Sequence, residues 1–150
     1  WLTILRKRDA FRRAFDSFDP ERIAGYGPDD VARLMADPGI VRNRLKVEAT
    51  IANAQAFLDL SSRNSLATLL WGYVDGRPLI NRRRSHGDVP ATTDLSERIS
   101  KDLKKLGFRF VGPTTVYAFL QSMGFVNDHL VTCHRHEPCA ALQRRFKAPV

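Results

Sequence analysis

Cysteine is scarce in this sequence, and the two cysteines present, Cys133 and Cys139, lie only six residues apart. Two cysteines so few and so local cannot form the disulfide framework that holds small secreted domains together. We therefore expect reduced thiols or metal ligands, in a reducing compartment.

Long apolar runs are absent as well. No stretch approaches the roughly 18 to 20 apolar residues that a membrane-spanning helix needs. The opening stretch "WLTILRKRDAF" lacks the order of a signal peptide, because its charges follow its apolar residues. The chain starts at Trp1 without a methionine, and its first residues look like the middle of an apolar helix. We expect a soluble, intracellular protein from which an N-terminal segment is missing.

Negative charge is in short supply, since 24 Lys and Arg outnumber 16 Asp and Glu and give a formal net charge of +8. This excess favours an anionic partner, either nucleic acid or an acidic membrane surface. A length of 150 residues, of which 43% are apolar, is suited to one compact domain with a hydrophobic core. No internal repeat or low-complexity segment suggests another organisation.

Apolar residues recur at helical spacing through most of the chain, and no segment alternates convincingly as a strand would. The fold class predicted from this pattern is all-α. Helices are predicted over residues 2–18, after an Asp19 cap, between Gly27 and Asp37, from about 41 to 60, and over 94–106 and 113–124. Asp94 and Glu97 have the spacing of a reciprocal helix cap.

The remaining segments are predicted to be less regular. Residues 66–74 form a helical turn in which Trp71 belongs to the core, a long surface loop covers 77–93, and the basic C-terminal tail frays. The run Arg82 to Arg84 in that loop could contact phosphate, although such a charge run is more often solvated.

The stretch "LKKLGFRFVGPTT", from Leu103, predicts a helix, a tight hairpin and a second helix, a helix-hairpin-helix unit over about 95–124. Glycines at both ends of the hairpin permit backbone angles that other residues resist, and Phe108, Phe110 or Val111 can pin the turn onto the core. Free amides and the positive dipole end of the second helix suit a DNA phosphate. A structural turn between packed helices is the alternative. The predicted DNA contacts are Gly107, Arg109, Gly112, Thr114 and Thr115.

The stretch "FVNDHLVTCHRHEPC" contains His129 and Cys133 at a spacing of four, which puts two side chains on one face of a helix. Both residue types bind zinc, but a zinc site usually needs three or four protein ligands. Pro138 indicates a loop without clear geometry, so we expect the neighbouring candidates at the surface. These neighbours are His134, His136 and Cys139.

Four motifs, in order, resemble the DNA-3-methyladenine glycosylases of type I, which are bacterial base-excision repair enzymes. They are "WLTILRKRDAFRRAFDSFDPERIA" from Trp1, "PGIVRNRLK" from Pro38, "LKKLGFRFVGPTT" from Leu103, and "GFVNDHLVTC" from Gly124. The resemblance covers most of the chain except the loop over 77–93. It implies an all-helical fold of the helix-hairpin-helix glycosylase superfamily, with residues 1–150 forming a single domain that lacks its N-terminal segment.

The resemblance implies hydrolysis of the bond between 3-methyladenine and deoxyribose in alkylated double-stranded DNA, leaving an abasic site. The alkylated adenine is an electron-poor leaving group, and it must be flipped out of the stack before it is read. No lysine is placed to argue for a Schiff base, so we expect a monofunctional enzyme, a monomer in the bacterial cytoplasm with the nucleoid. The alternatives are a non-catalytic helix-hairpin-helix module and a helical domain that binds an acidic protein.

The resemblance also implies roles for particular residues. Trp1 falls where the family has a base-stacking tryptophan, while the family's pocket glutamate and tyrosine would lie upstream of this chain. Zinc is structural in the family, and His129 and Cys133 match its C-terminal ligand pair. Asp128 lies near the position where many helix-hairpin-helix glycosylases carry an aspartate that acts on the sugar, but type I enzymes usually lack it. Asp128 could equally cap a helix or orient His129.

Overall fold

A computed structural model describes residues 2–148, so Trp1 lies outside the described residues. The chain divides into two compact units. Unit 1 comprises Trp1–Arg63 and Leu106–Phe110, and unit 2 comprises Asn64–Lys105 and Val111–Val150. Both are helical, which confirms the all-α prediction. None of the helices among residues 2–148 is long and apolar enough to cross a membrane.

Unit 1 contains five α-helices and a short 3-10 turn within its described residues. The elements are α1 (Leu2–Arg6), α2 (Arg8–Ala14), the 3-10 turn (Asp16–Phe18), α3 (Pro20–Ala24), α4 (Pro28–Ala36) and α5 (Arg44–Ser61). Apolar side chains of α2 to α5 and of the segments joining them form its core, with Phe15, Leu34 and Val47 almost fully buried.

The single helix predicted over 2–18 is interrupted. Helix α1 ends at Arg6 and α2 at Ala14, and Asp16, Ser17 and Phe18 then have φ values of 47°, 59° and 61°. These angles belong to the left-handed region, in which a right-handed helix cannot continue. Apolar spacing alone does not reveal such a break.

Local capping was predicted correctly at one helix and shifted by one residue at another. Oδ1 of Asp19 accepts the amides of Glu21 and Arg22 at 3.0 and 3.3 Å, as expected for the start of α3. At α7 the reciprocal cap is formed by Thr93 and Ser96 rather than by Asp94 and Glu97. The amide of each donates to the hydroxyl of the other, at 2.9 and 3.2 Å.

Unit 2 combines four helices with two very short strands in the part of the chain that the structure describes. The elements are α6 (Leu66–Gly72), β1 (Leu79–Ile80), a 3-10 turn (His86–Asp88), α7 (Asp94–Lys105), α8 (Pro113–Ser122), β2 (Val126–Asn127) and α9 (His136–Arg145). The strands are parallel and pair Leu79 with Val126. Two residues are too few to show the alternation by which a strand is recognised in sequence, so both were missed.

Part of the tail predicted to fray, residues 141–150, is helical, because α9 continues to Arg145. Ala140 is fully buried, and Nε2 of Gln143 donates to the carbonyl of Gly124 at 2.9 Å. Trp71 is buried, as predicted, and stacks on Phe125 with 3.9 Å between the ring centroids.

Candidate functional site

The hairpin tip, residues 106–110, is held against α5 within unit 1. Oδ1 of Asn53 accepts the Arg109 amide at 2.7 Å, and Nδ2 of Asn53 donates to the Arg109 carbonyl at 3.1 Å. One amide side chain therefore satisfies both backbone polar groups of Arg109. Gly107 has a φ of 93°, which favours glycine, and a Cβ there would lie 3.6 Å from Ala56. The tip is fixed while the Arg109 side chain is exposed.

Phe110 does not pin the hairpin onto the core. It has a φ of 58°, and 56% of its surface is exposed. The ammonium of Lys46, on α5, lies 5.9 Å from the centroid of its ring. The hairpin therefore presents an aromatic ring beside a cation, which the sequence interpretation did not expect.

Helix α8, in unit 2, begins with the predicted arrangement for binding an anion. Gly112 is its N-cap, Pro113 is its first residue, and its first turn contains no acidic residue. Thr114 and Thr115 are exposed. The first amides of a helix have no partner within it, and the dipole makes this end positive, so phosphate is favoured here.

The two hairpin glycines differ in what they contribute. Gly112 has a φ of −61°, which any residue adopts, so the predicted need for an unusual backbone angle holds for Gly107 and is wrong for Gly112. A Cβ at Gly112 would have nothing within 4 Å. Glycine therefore leaves open space at the start of α8.

Asp128 is a buried carboxylate in unit 2, with 5% of its side chain exposed. Its Oδ1 accepts Nδ2 of Asn81 at 2.8 Å and Nε of Arg83 at 3.0 Å. Its Oδ2 accepts Nε2 of Gln121 at 2.9 Å and a short hydrogen bond from the hydroxyl of Tyr117. Arg83 is thus an ion-pair partner, whereas the sequence suggested a solvated or phosphate-binding arginine.

These contacts shift the pKa values of Asp128 and Tyr117 in opposite directions. Burial by itself raises the pKa of Asp128, but the hydrogen bonds from its four donors outweigh burial and hold the pKa below its ordinary value. Burial and the hydrogen bond to Asp128 raise the pKa of Tyr117 to about 12. At neutral pH the carboxylate is charged and fully engaged by protein donors. Among the described residues it neither caps a helix nor bonds to His129.

His129 and Cys133 lie between β2 and α9 in a segment that is not helical, so the expected helix face is wrong. A turn brings them together, with the Cys133 amide donating to the Leu130 carbonyl at 2.8 Å. Sγ of Cys133 lies 3.8 Å from Nδ1 of His129, and the Arg135 amide is 3.5 Å from that sulfur. Two ligands of one tetrahedral zinc ion are about 3.6 Å apart, from the usual metal–ligand lengths. The pair therefore fits one zinc ion.

The neighbouring candidate ligands do not complete this pair. His136, predicted at the surface, is 5% exposed and places Nε2 3.0 Å from the carbonyl oxygen of Asn81. Cys139 is half-buried on α9. No group of three or more potential metal-ligating side chains occurs within residues 2–148.

The contacts that several residues of these sites make could not be recognised in the sequence. Asn53 lies 56 positions before Arg109, and Asn81 and Arg83 lie 47 and 45 positions before Asp128. Their side chains are polar and occur outside any motif. Only the folded chain shows that they support the hairpin tip and the carboxylate.

A predominantly helical, basic chain in which α7 and α8 flank a hairpin belongs to the class of helix-hairpin-helix proteins. The family model described as methyladenine glycosylase matches residues 1–136. "DNA-3-methyladenine glycosylase 1" of Escherichia coli (strain K12) is 40% identical over 134 residues, which cover 89% of this chain and 72% of the relative. The chain belongs to the methyladenine glycosylase family.

Solved structures agree with this assignment. The protein in a crystal structure of 3-methyladenine DNA glycosylase I is 44% identical in sequence, and the match has a TM-score of 0.87. The match covers 91% of this chain and 75% of the chain in that crystal structure. The Staphylococcus aureus 3-methyladenine DNA glycosylase I, solved to explain 3-methyladenine recognition, is 39% identical, with a TM-score of 0.85. That match covers 91% of this chain and 73% of the Staphylococcus aureus chain.

Proposed function

We propose that this chain is a DNA-3-methyladenine glycosylase, which hydrolyses the N-glycosidic bond of 3-methyladenine in alkylated DNA. Membership of the methyladenine glycosylase family over residues 1–136 carries the proposal. Relatives whose names state this activity share about two fifths of their aligned residues with this chain. The first turn of α8 and the exposed Arg109 supply groups suited to the DNA backbone.

The finer features of the reaction follow from the chemistry of the base. Methylation makes the adenine electron-poor, so it leaves readily once it is flipped out of the duplex and positioned. Water then attacks the sugar, and an abasic site remains with the strand intact. Trp1 is the proposed stacking partner of the base. For Asp128, the four donors support a role in positioning its own segment rather than in acting on the sugar.

The activity is tested with duplex DNA treated with a methylating agent. We expect release of free 3-methyladenine, detected by chromatography, and abasic sites that break only after alkali treatment. Untreated duplex is the control. Binding to methylated duplex without base release would support the alternative, a non-catalytic DNA-binding module, and absence of DNA binding even at low salt would exclude both.

The hairpin contact is tested by Arg109→Glu. Because the contact is with phosphate, affinity should fall to a similar extent for methylated and unmethylated duplex. Lys101→Glu on α7 changes charge equally at another exposed position and serves as the control. Unchanged affinity of Arg109→Glu at moderate salt would refute the assignment.

We also propose that His129 and Cys133 are two ligands of a structural zinc ion. The ion would stabilise the segment between β2 and α9 and take no part in the reaction. His129→Ala and Cys133→Ser in the complete protein should each lose bound zinc and melting temperature, whereas Cys139→Ser should retain both. Metal analysis showing full zinc content in folded Cys133→Ser would contradict this site.

The proposed substrate is double-stranded DNA, and the protein acts as a monomer in the bacterial cytoplasm, where its DNA is found. Duplex and single-stranded oligonucleotides that contain the same methylated base distinguish the first point. Light scattering after gel filtration, with and without DNA, tests the second.

A further inference from the structure

The start of α5 and the residues just before it carry basic side chains that helix stability does not explain. Arg42, Arg44 and Lys46 are exposed, and the first turn of α5 contains no acidic residue. Cations near a helix N-terminus oppose the dipole, which favours acidic residues at that end. The pairing of Arg44 with Glu48 is long, at 3.7 Å, and exposed. Such a cluster is unfavourable within the free protein and becomes favourable beside an anion.

The same helix holds the hairpin tip. Lys46 lies over the Phe110 ring, and Asn53, seven residues further along α5, binds both backbone groups of Arg109. From Arg44 to Asn53 the helix rises about 14 Å. A DNA strand rises 3.4 Å per nucleotide, so this length corresponds to about four nucleotides. The basic end of α5 and the tip are therefore spaced to follow one stretch of backbone.

Phe110 lies in a position that folding alone does not favour. A bulky residue with a φ of 58° is strained where glycine or asparagine would not be, and its exposed ring leaves apolar surface in water. The ammonium of Lys46 lies over the face of this ring. An exposed ring next to a cation is suited to a DNA strand, because deoxyribose is apolar and the adjoining phosphate is anionic.

We propose that Arg42, Arg44, Lys46 and Phe110 form a second DNA-backbone contact, the α5 strip, which continues the hairpin contact along the duplex. The occupant is the sugar-phosphate backbone, recognised by charge and by sugar packing without regard to base sequence. The inference rests on the proposed function for the identity of the partner. It adds the length and direction of the DNA footprint on unit 1.

The charged part of the strip is tested in the full chain by the triple variant Arg42→Gln, Arg44→Gln and Lys46→Gln. The matched control removes three exposed charges from α2 of the same unit, with Arg8→Gln, Arg12→Gln and Arg13→Gln. Affinity for an unmethylated duplex is measured from 50 to 200 mM salt, because affinities that depend on phosphate contacts fall by orders of magnitude across this range.

The slope of log affinity against log salt concentration should become shallower by about 2 to 3 in the strip variant. This is the change expected for three lost phosphate contacts at about 0.9 each. The control should change the slope by less than about 1. Equal slopes for strip and control variants would overturn the inference, because the total charge lost is the same. An acidic protein partner for α5 would give that result.

Phe110→Gly tests the aromatic part. Glycine accepts the positive φ, so the free energy of unfolding should be unchanged or higher, while affinity for duplex falls severalfold. A loss of stability with unchanged affinity would overturn the role of Phe110 in the strip. Parallel base-release measurements on the unsubstituted protein separate the two proposals. No release overturns the proposed function, whereas release with equal salt slopes overturns only the α5 strip.

Discussion

At Asp128, a single carboxylate contacts several segments of unit 2. Its donors come from the segment around β1 and from α8, and the next residue is the proposed zinc ligand His129. Buried carboxylates are tolerated only when donors satisfy both oxygens, as they do here. These contacts account for the burial of the carboxylate, and they support the structural role proposed for Asp128.

We predict that Asp128→Asn lowers the free energy of unfolding by about 2 to 4 kcal/mol. The amide replaces one accepting oxygen with a donor that faces other donors, and it leaves Arg83 without its anion. Glu137→Gln removes a carboxylate from the exposed pair with Arg144 and should cost much less. Chemical denaturation of both variants measures the difference, and similar losses would mean that the network around Asp128 contributes little.

The shifted pKa values predict two opposite pH dependences. The pKa of Asp128 is lowered from 3.8 in the folded chain. The ionised carboxylate therefore stabilises the folded protein above pH 3.8, and this contribution is lost as the pH falls through the lowered pKa. The pKa of Tyr117 is raised from 10.0 to about 12, so its stabilisation is present below pH 10 and is lost between pH 10 and 12.

Tyr117→Phe isolates the alkaline dependence. At neutral pH the variant should be less stable, because the hydroxyl no longer donates to Asp128. The difference in unfolding free energy between the variant and the unsubstituted protein should narrow between pH 10 and 12. In this range the tyrosine ionises in the unfolded chain but stays protonated in the folded chain. Urea denaturation at a series of pH values measures this difference. A gap that stays constant to pH 12 would contradict the assigned direction of the shift.

At the scale of elements, α5 has a central place in unit 1. Its N-terminal half carries Arg44 and Lys46 of the proposed α5 strip, and its middle holds the hairpin tip through Asn53. The tip consequently depends on an element remote from it in sequence. The proposed DNA contact at the tip would therefore be positioned by packing in the free protein.

We predict that Asn53→Ala weakens DNA binding without removing any group that touches DNA. Loss of two hydrogen bonds frees the Arg109 backbone, so unfolding free energy should fall by about 1 to 2 kcal/mol, and affinity should fall as well. Gln55→Ala on the same helix removes one side-chain hydrogen bond, 3.0 Å long, to the Ala24 carbonyl and serves as the control. It should lose stability only. Equal affinity of the two variants for DNA would show that the two hydrogen bonds from Asn53 do not position Arg109.

At the scale of the whole molecule, the two units raise the question of cooperativity. The chain passes from unit 1 to unit 2 at residue 64, returns for residues 106–110 and leaves again, so neither unit is a continuous segment. Two units that are each built from discontinuous stretches of the chain are not expected to unfold separately. The prediction of one domain over residues 1–150 therefore stands as a proposal.

We predict one unfolding transition for both units. Amides in the middle of α5 and of α8 should become open to hydrogen exchange at the same denaturant concentration. The exposed turn over His86–Asp88 should exchange earlier and provides the internal comparison. Loss of protection in α5 at a clearly lower denaturant concentration than in α8 would establish two domains.

The sequence by itself determined the features that depend on neighbours along the chain. Most helices, though not α9 or the break between α1 and α2, follow from spacing and turn chemistry, as do the Asp19 cap, the hairpin between α7 and α8, and the burial of Trp71. The ordered motifs identified the family. Each rests on interactions within a few residues or on a strong local pattern. The left-handed turn at residues 16–18 escaped because it interrupts an apolar pattern without altering it.

Only the tertiary structure decided which polar residues support these features. Asn53 meets Arg109, Arg83 meets Asp128, and His136 is buried against Asn81, each across more than forty residues. A polar side chain carries no local sign of a distant partner, because that partner is set by how the helices pack. The same reason explains why Cys133 was expected on a helix, whereas the fold brings it to His129 through a turn.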